Sequence, residues 1–281
     1  MCGIAGIWDV EQRSRYDALR EAAERMNAAL RHRGPDDSGV WINEEHGIAL
    51  AHRRLSILDL SPAGHQPMLS HNGRYVIAFN GEIYNFRALR QQLEHETGGI
   101  VWRGSSDTEI LLEAISRWGG LPTLHKAVGM FAYALWDAQE RTLTLARDRM
   151  GEKPLYYMQC GHFLLWASEL KALRTFPECP TGLNHAALTS YLRHSCIHAP
   201  DSIINGIFAL PPGCVVHLRR AELPAPTPYW SYADLTDRAV SAPFSGTAAE
   251  AEASLLHLIE TSVTDQMIAD VPLGAFLSGG V

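Results

Sequence analysis

Cys2 stands directly behind Met1, and its type and position together suggest covalent chemistry. A small second residue permits removal of the initiator methionine. Cys2 would then carry a thiol and a free α-amine on one residue. Their reference pKa values, about 8.5 and about 7.7–8.0, lie close enough for a proton to pass between them near neutral pH. A nucleophile with its own base suits attack on a carbonyl carbon. The plainer reading is a small buried hydrophobe, a common fate of free cysteine. Asn80-Gly81-Glu82 ends an apolar run. It reads as a tight hairpin turn, or as an oxyanion hole in which the Asn80 amide and the Gly81 N–H meet one developing negative oxygen. Arg53-Arg54 precedes Leu55-Ser56-Ile57-Leu58. Such a pair is either solvated or, in a cleft, a bidentate grip on a carboxylate. Asp107 falls in the first turn of a helix, where the helix dipole favours it; it also suits a substrate ammonium. Arg54 and Asp107 together would hold both ends of a zwitterionic α-amino acid. Ser278-Gly279-Gly280 follows an apolar run and suggests an anion loop, because glycine lets backbone N–H groups converge. Ser-Gly-Gly also occurs in ordinary turns, and the chain has no Walker A pattern.

These residues need elements to position them. Residues 3–8 read as a short buried strand. Leu19, Ala22, Ala23, Met26, Ala29 and Leu30 recur at helical spacing between Arg15 and Leu30. Strand patterns follow at 39–43, 47–51, 54–58 and 75–80, then a helix near 86–96. Ser106-x-x-Glu109 is a capping-box pattern ahead of Ile110, Leu111, Leu112, Ala114 and Ile115. Strands are expected at 129–137, 142–147, 155–159, 163–167 and 214–218, with helices at 168–173 and 184–193. Residues 220–246 are rich in Pro and Ala, without sustained periodicity, and read as a linker. A helix over about 247–269 leads to an expected buried strand at 271–277. Many short strands at hairpin spacing argue for an α+β domain of antiparallel sheets with helices outside. The closing helix–strand–glycine unit argues for the start of a parallel α/β domain. A chain ending at such a junction is expected to be part of a longer one.

Composition narrows the function. The chain has 281 residues, 46% hydrophobic and 20% charged, which excludes wholesale disorder and favours two domains. Lys+Arg total 24 against 31 Asp+Glu, a net charge of −7, so no nucleic-acid partner is expected. The longest apolar stretch, 130–136, falls far short of the roughly 20 residues of a membrane span. Asp9 interrupts any secretory signal, and Cys2 comes too early for a lipoprotein anchor. Cys2, Cys160, Cys179, Cys196 and Cys214 are odd in number and form no CxxC pair. Neither a disulfide framework nor structural zinc is expected, and a cytoplasmic location fits. His194 and His198 lie four apart, but nearby Pro200 suggests a frayed segment rather than a metal site.

Taken together the motifs resemble the glutamine-hydrolysing asparagine synthetase family, whose N-terminal part is a class II (N-terminal-nucleophile) glutamine amidotransferase. The resemblance rests on Met1-Cys2-Gly3-Ile4-Ala5-Gly6, Arg31-His32-Arg33-Gly34-Pro35-Asp36, Ala51-His52-x-Arg54-Leu55-Ser56-Ile57 and Phe79-Asn80-Gly81-Glu82-Ile83-Tyr84-Asn85. Ser106-Asp107-Thr108-Glu109, Arg147-Asp148-Arg149-x-Gly151-x-Lys153-Pro154 and Asp270-Val271-Pro272-x-Gly274-x-x-Leu277-Ser278-Gly279-Gly280 extend it over nearly the whole chain. The resemblance implies a four-layer αββα glutaminase domain over 2–218, a linker over 219–246 and the start of an ATP-pyrophosphatase domain over 247–281. It implies that Cys2 attacks the glutamine side-chain amide with its own amine as base, and that Asn80 and Gly81 form the oxyanion hole. Arg54 would take the α-carboxylate and Asp107 the α-ammonium, while 54–58 and 80–82 (Leu55, Ser56, Ile57, Leu58 and Glu82 among them) line the pocket. Leu277, Ser278, Gly279 and Gly280 would begin an ATP site. ATP, with Mg²⁺ in a further synthetase domain, would activate aspartate as an acyl-adenylate for the released ammonia; the glutaminase domain itself would need no cofactor. Another carboxylate acceptor, such as a surface-polysaccharide sugar, fits the same residues, and a glutamine-sensing module is a further alternative. The family also leads one to expect a homodimer. The family loop continues Ser-Gly-Gly-x-Asp-Ser, whereas this chain stops at Val281.

Overall fold

The computed structural model describes residues 1–219, 223–275 and 279. In chain order its elements begin β1 Gly3–Asp9, α1 Tyr16–Ala29, β2 Asp37–Asn43, β3 Ile48–Arg54, β4 Met68–Leu69, β5 Tyr75–Ile83, α2 Phe86–Thr97, α3 Asp107–Trp118 and α4 Gly120–Lys126. They continue β6 Gly129–Asp137, β7 Thr142–Arg147, β8 Tyr156–Cys160, β9 Phe163–Ala167, α5 Leu170–Leu173, α6 His185–His194, β10 Ile207–Ala209, β11 Cys214–Leu218, β12 Thr227–Pro228, α7 Tyr232–Ser241 and α8 Ala248–Gln266.

Strand alternation sorts the apolar side chains into three layers. The first sheet runs β10-β8-β9-β1-β3-β2 and the second β12-β11-β7-β6-β5-β4. Every pairing within them is antiparallel. Ile4 and Trp8 of β1, with Ile48 and Leu50 of β3, meet Val76, Ala78, Trp136 and Leu145 of the second sheet. Trp8 and Trp136 close this middle layer edge to face, 5.2 Å between centroids. On the far side of the first sheet, Ala5 and Ile7 pack on Leu19, Ala23 and Met26 of α1 and on Leu173 of α5. On the far side of the second, Ile77, Phe79 and Ile83 pack on Leu89 and Leu93 of α2 and Ile110 and Leu111 of α3. The molecule is therefore a mixed α+β fold of four layers, helix–sheet–sheet–helix; the strand spacing predicts antiparallel sheets with helices outside, and the four-layer order is what the family resemblance implies.

Local details depart from the sequence reading. Residues 54–58 form no strand beyond Arg54. The Leu55 N–H turns to Cys2 Sγ (3.4 Å) and the Ser56 N–H to the Asp36 carboxylate (2.8 Å), so neither serves a ladder. Ser106 caps α3 by accepting from the Thr108 N–H, but Glu109 does not complete a capping box. Its carboxylate instead accepts from the Arg103 and Gly104 N–H groups and faces His71. The stretch expected to be a linker holds β12 and α7; Tyr229 donates its hydroxyl to Arg147 O at 2.9 Å and so fastens it to β7. The expected strand at 271–277 is absent over its described part: 271–275 form no strand and are mostly exposed. Among the described residues no helix is long and apolar enough to cross a membrane.

Gly6 sits at the closest approach within the first sheet. A Cβ there would lie 2.0 Å from the Trp166 ring and 2.7 Å from Ala49 O. Gly6→Ala should cost about 2–3 kcal/mol by overpacking, lowering Tm by about 5 °C or more. Gly120→Ala, with nothing within 4 Å, should be neutral to within about 0.5 kcal/mol. Equal melting curves for the two variants would contradict this packing.

Candidate active site

The period of two that fills the middle layer also aims the chemistry. Cys2 shares its parity with Ile4 and Trp8, Arg54 with Ile48 and Leu50, and Asn80 with Val76 and Ala78. Extending the β1–β3 register by one pair from Gly3↔Arg53 sets Cys2 opposite Arg54. The three side chains therefore point between the sheets, at one end, where the apolar filling stops. A cavity of about 190 Å³ opens there. Cys2, Arg54, Leu55, Ile57, Leu58, Asn80, Gly81, Glu82 and Asp107 all line it. Ser56 does not; its backbone is drawn toward Asp36.

Cys2 Sγ donates to Leu55 O at 3.6 Å and accepts from the Leu55 N–H at 3.4 Å. Arg33 Nε holds the Cys2 carbonyl at 2.8 Å, and Ser168 exchanges bonds with Ile4, so the start of β1 is fixed on both sides. Burial pushes the Cys2 thiol pKa up, with the Leu55 N–H opposing. The resting group is therefore a thiol, which would need a base to act as a nucleophile.

Asn80 is 1% exposed, and its Nδ2 has no hydrogen-bond partner among the described residues. A buried amide left without an acceptor costs free energy unless a ligand supplies one. Gly81 is required by the neighbouring strand: a Cβ would lie 2.3 Å from Met130 O and 2.6 Å from Phe131 Cα. Just before them, Phe79 O accepts at 2.9 Å from His52 Nε2 of β3, a buried bond between the sheets. Burial holds that imidazole neutral, its pKa lowered to about 4.

Arg54 is caged by the loop after β3. Its guanidinium donates to Ser61 O (3.1 Å), Leu58 O (3.2 Å) and Asp59 O. The cage is tight, since a Cβ on Gly64 would fall 1.9 Å from Arg54 Nη2. Asp107 opens α3 and accepts from the Ile83 N–H at 2.8 Å, which pins the helix to the end of β5. It is 5% exposed, and among the described residues no cation pairs with it. Burial pushes its pKa up to about 7, opposed first by the Ile83 N–H and then by the helix-terminal N–H groups of Thr108 and Asp107 itself. Arg54 and Asp107 thus offer a cation and a carboxyl group to one cavity.

Sequence reasoning missed Gln66 and Lys153, which also line the cavity. Gln66 joins β5 to α3, accepting from the Phe79 N–H (2.7 Å) and donating to Thr108 Oγ1 (3.3 Å). Lys153 is 6% exposed, and its ammonium lies 3.8 Å from the Met1 sulfur; among the described residues no carboxylate forms an ion pair with it. The signal available in the sequence was its place within the Gly151-x-Lys153-Pro154 motif, which says nothing of burial. Of the expected anion loop, Leu277, Ser278 and Gly280 lie outside the described residues; Gly279 is exposed and does not reach this cavity.

Residues 1–230 match the family model of the glutamine amidotransferase domain, and the chain belongs to that family. Residues 254–281 match the asparagine synthase family. The chain is 33% identical to glutamine-hydrolysing asparagine synthetase 3 of Bacillus subtilis, over 100% of its own length and 44% of that protein's. It is 35% identical to a putative glutamine-hydrolysing asparagine synthetase of Mycobacterium bovis, over 92% of its length and 40% of the relative's. The chain thus spans less than half the length of these relatives. Among solved structures it resembles the glutamine phosphoribosylpyrophosphate amidotransferase of B. subtilis, in complex with ADP and GMP. That match has a TM-score of 0.59 at 20% identity and covers 82% of this chain and 49% of the other, a likeness of fold.

Asp107 makes stability pH-dependent. Its raised pKa means the fold favours the protonated form. That contribution is full below the unfolded-state value of about 4 and is lost as pH rises through about 7. Asp107→Asn keeps an acceptor for the Ile83 N–H but cannot ionise. Urea denaturation at pH 5 and pH 8 should show wild type losing about 2 kcal/mol more than the variant between the two. Parallel losses would contradict the buried, unpaired carboxyl.

Proposed function

We propose that this chain is the glutamine-hydrolysing part of an amidotransferase that uses Cys2 as nucleophile. The unpartnered Nδ2 of buried Asn80, lining the same cavity as Cys2, is the observation that carries the reading. Removal of Met1 frees the Cys2 α-amine. That amine takes the thiol proton, directly or through a water, as the Cys2 sulfur attacks the side-chain carbonyl carbon of glutamine. The carbonyl oxygen becomes an oxyanion facing the Asn80 amide and the Gly81 N–H. Collapse breaks the C–N bond; the amine returns its proton to the leaving nitrogen and ammonia departs. Water then hydrolyses the thioester to glutamate and restores the thiol. Arg54 holds the α-carboxylate and Asp107 the α-ammonium, fixing the amide carbon beside the sulfur. The Asp107 carboxyl, poised near neutrality by burial, ionises when an ammonium arrives.

The acceptor half is read from the relatives named asparagine synthetases and from the short C-terminal match. On that reading the ammonia passes to an aspartate activated by ATP, and Leu277 to Gly280 begin the nucleotide site. A different carboxylate acceptor keeps the glutaminase chemistry unchanged. The linker and domain limits at 218 and 246 belong to the same proposal, as do a cytoplasmic location and dimerisation.

Glutamate and ammonia release tests the glutaminase step. Cys2→Ala should abolish it while glutamine binding, followed by calorimetry, persists. Asn80→Ala should lower kcat by about 10²–10³-fold with KM nearly unchanged, the loss of one oxyanion donor. Arg54→Ala should act mainly on KM, raising it by about 10²-fold as for a lost charge-assisted pair. Full hydrolysis with Met1 still attached, seen by intact mass, would overturn the mechanism.

A further inference from the structure

A contact that joins residues 211 positions apart underlies the Arg54 cage. The Asp270 N–H donates to Ile57 O at 2.9 Å, and Asp270 Oδ2 accepts from the Asp59 N–H at 2.7 Å. Ile268, two residues before it, packs with Leu58 on the apolar cluster between the second sheet and its helices. The segment leaving α8 is therefore strapped to the loop after β3 by two hydrogen bonds, and both lean on one apolar cluster.

The strap falls where the loop needs outside support. Asp59 has φ 57°, the left-handed region, which costs a non-glycine residue free energy. Its carboxylate is already used, accepting from Ser61 on one oxygen and from the Ser105 N–H (2.8 Å) on the other. The Asp59 N–H goes to Asp270. Just here the loop presents Leu58 O, Asp59 O and Ser61 O to the Arg54 guanidinium. A turn loosened at Asp59 lets those carbonyls, and the guanidinium with them, leave their place.

We propose that Asp270 is a positioning residue for glutamine capture: by fixing the turn at Asp59 it fixes Arg54 in the cavity. This rests on the glutamine-hydrolysing reading above. Cys2 immediately precedes β1 and Asn80 stands on β5; Cys2 meets the loop at Leu55, ahead of the Ile57 and Asp59 groups that Asp270 holds. Its loss therefore acts on glutamine affinity and leaves the chemical step alone. The glutamine site thereby draws on residues more than two hundred positions apart.

The test compares Asp270→Ala with Asp270→Asn in the full chain. The second variant exchanges the carboxylate for an amide whose oxygen still accepts from the Asp59 N–H. Asp270→Ala should raise the glutamine KM by about tenfold, as for loss of a hydrogen bond to a charged acceptor, with kcat within about twofold. Asp270→Asn should stay within about threefold of wild type in KM. Hydrogen exchange at the Asp59 amide should quicken in Asp270→Ala. A wild-type KM in Asp270→Ala overturns the proposal, as does an equal fall of kcat in both variants. Ammonia release by wild type judges the glutaminase reading on its own. Unchanged exchange at Asp59 in Asp270→Ala overturns the strap whatever that assay gives.

Discussion

The filled layer between the two sheets is the constraint on which the site depends. Side chains alternate along β1, β3 and β5, and the inward set is apolar until the strands reach one end of the sandwich. Cys2, Arg54 and Asn80 continue those inward rows into the cavity. A one-residue slip of β1 on β3 would turn Cys2 to the α1 face and bring Ala5 and Ile7 inward. Such a slip would also break the edge-to-face contact of Trp8 with Trp136, 5.2 Å between centroids. His52 adds a polar fastening beside the site. Because Phe79 O can only accept, His52 Nε2 must carry the ring proton, and the neutral imidazole favoured by burial has one proton to give.

The site itself is costly to fold. It gathers a thiol made less acidic by burial, a carboxyl raised to about 7, an amide donor without an acceptor and a buried lysine held outside any ion pair of the described residues. None of these would be selected for packing alone, since each leaves polar capacity unused in a place shielded from water. They face the same cavity, so one zwitterionic ligand with a carboxamide end can satisfy several at once. The four layers around them supply the stability that offsets the cost.

Residue types and strand periods made most of the layered fold legible. The strands at 129–137, 142–147 and 163–167 stand where their alternation puts them, and α3 follows its Ser106 cap. The site was legible in its members but not in its assembly. Nothing local in Arg54 tells that its loop folds back as a cage, because the cage is made of backbone carbonyls that any sequence possesses. The strand expected at 54–58 failed for the same reason: apolar alternation signals a strand only where a ladder partner exists, and here Cys2 and Asp36 take the N–H groups. Lys153 and Gln66 were overlooked because burial, not identity, makes them notable.

The C-terminal part separates what is local from what is not. Thr247 and Glu250 form a complete capping box, so α8 begins where a helix starts at little cost. Its periodic Leu255, Leu258, Ile259 and Val263 are exposed among the described residues. Residues 271–275 likewise form no strand among the described residues. Asp270, between these two stretches, does find partners, and they belong to a loop more than two hundred residues earlier. A carboxylate needs only one well-placed N–H to be ordered, whereas an apolar helix face or a strand needs a whole complementary surface. Asp270 accordingly ties its segment to a loop more than two hundred residues away with one side-chain and one backbone hydrogen bond.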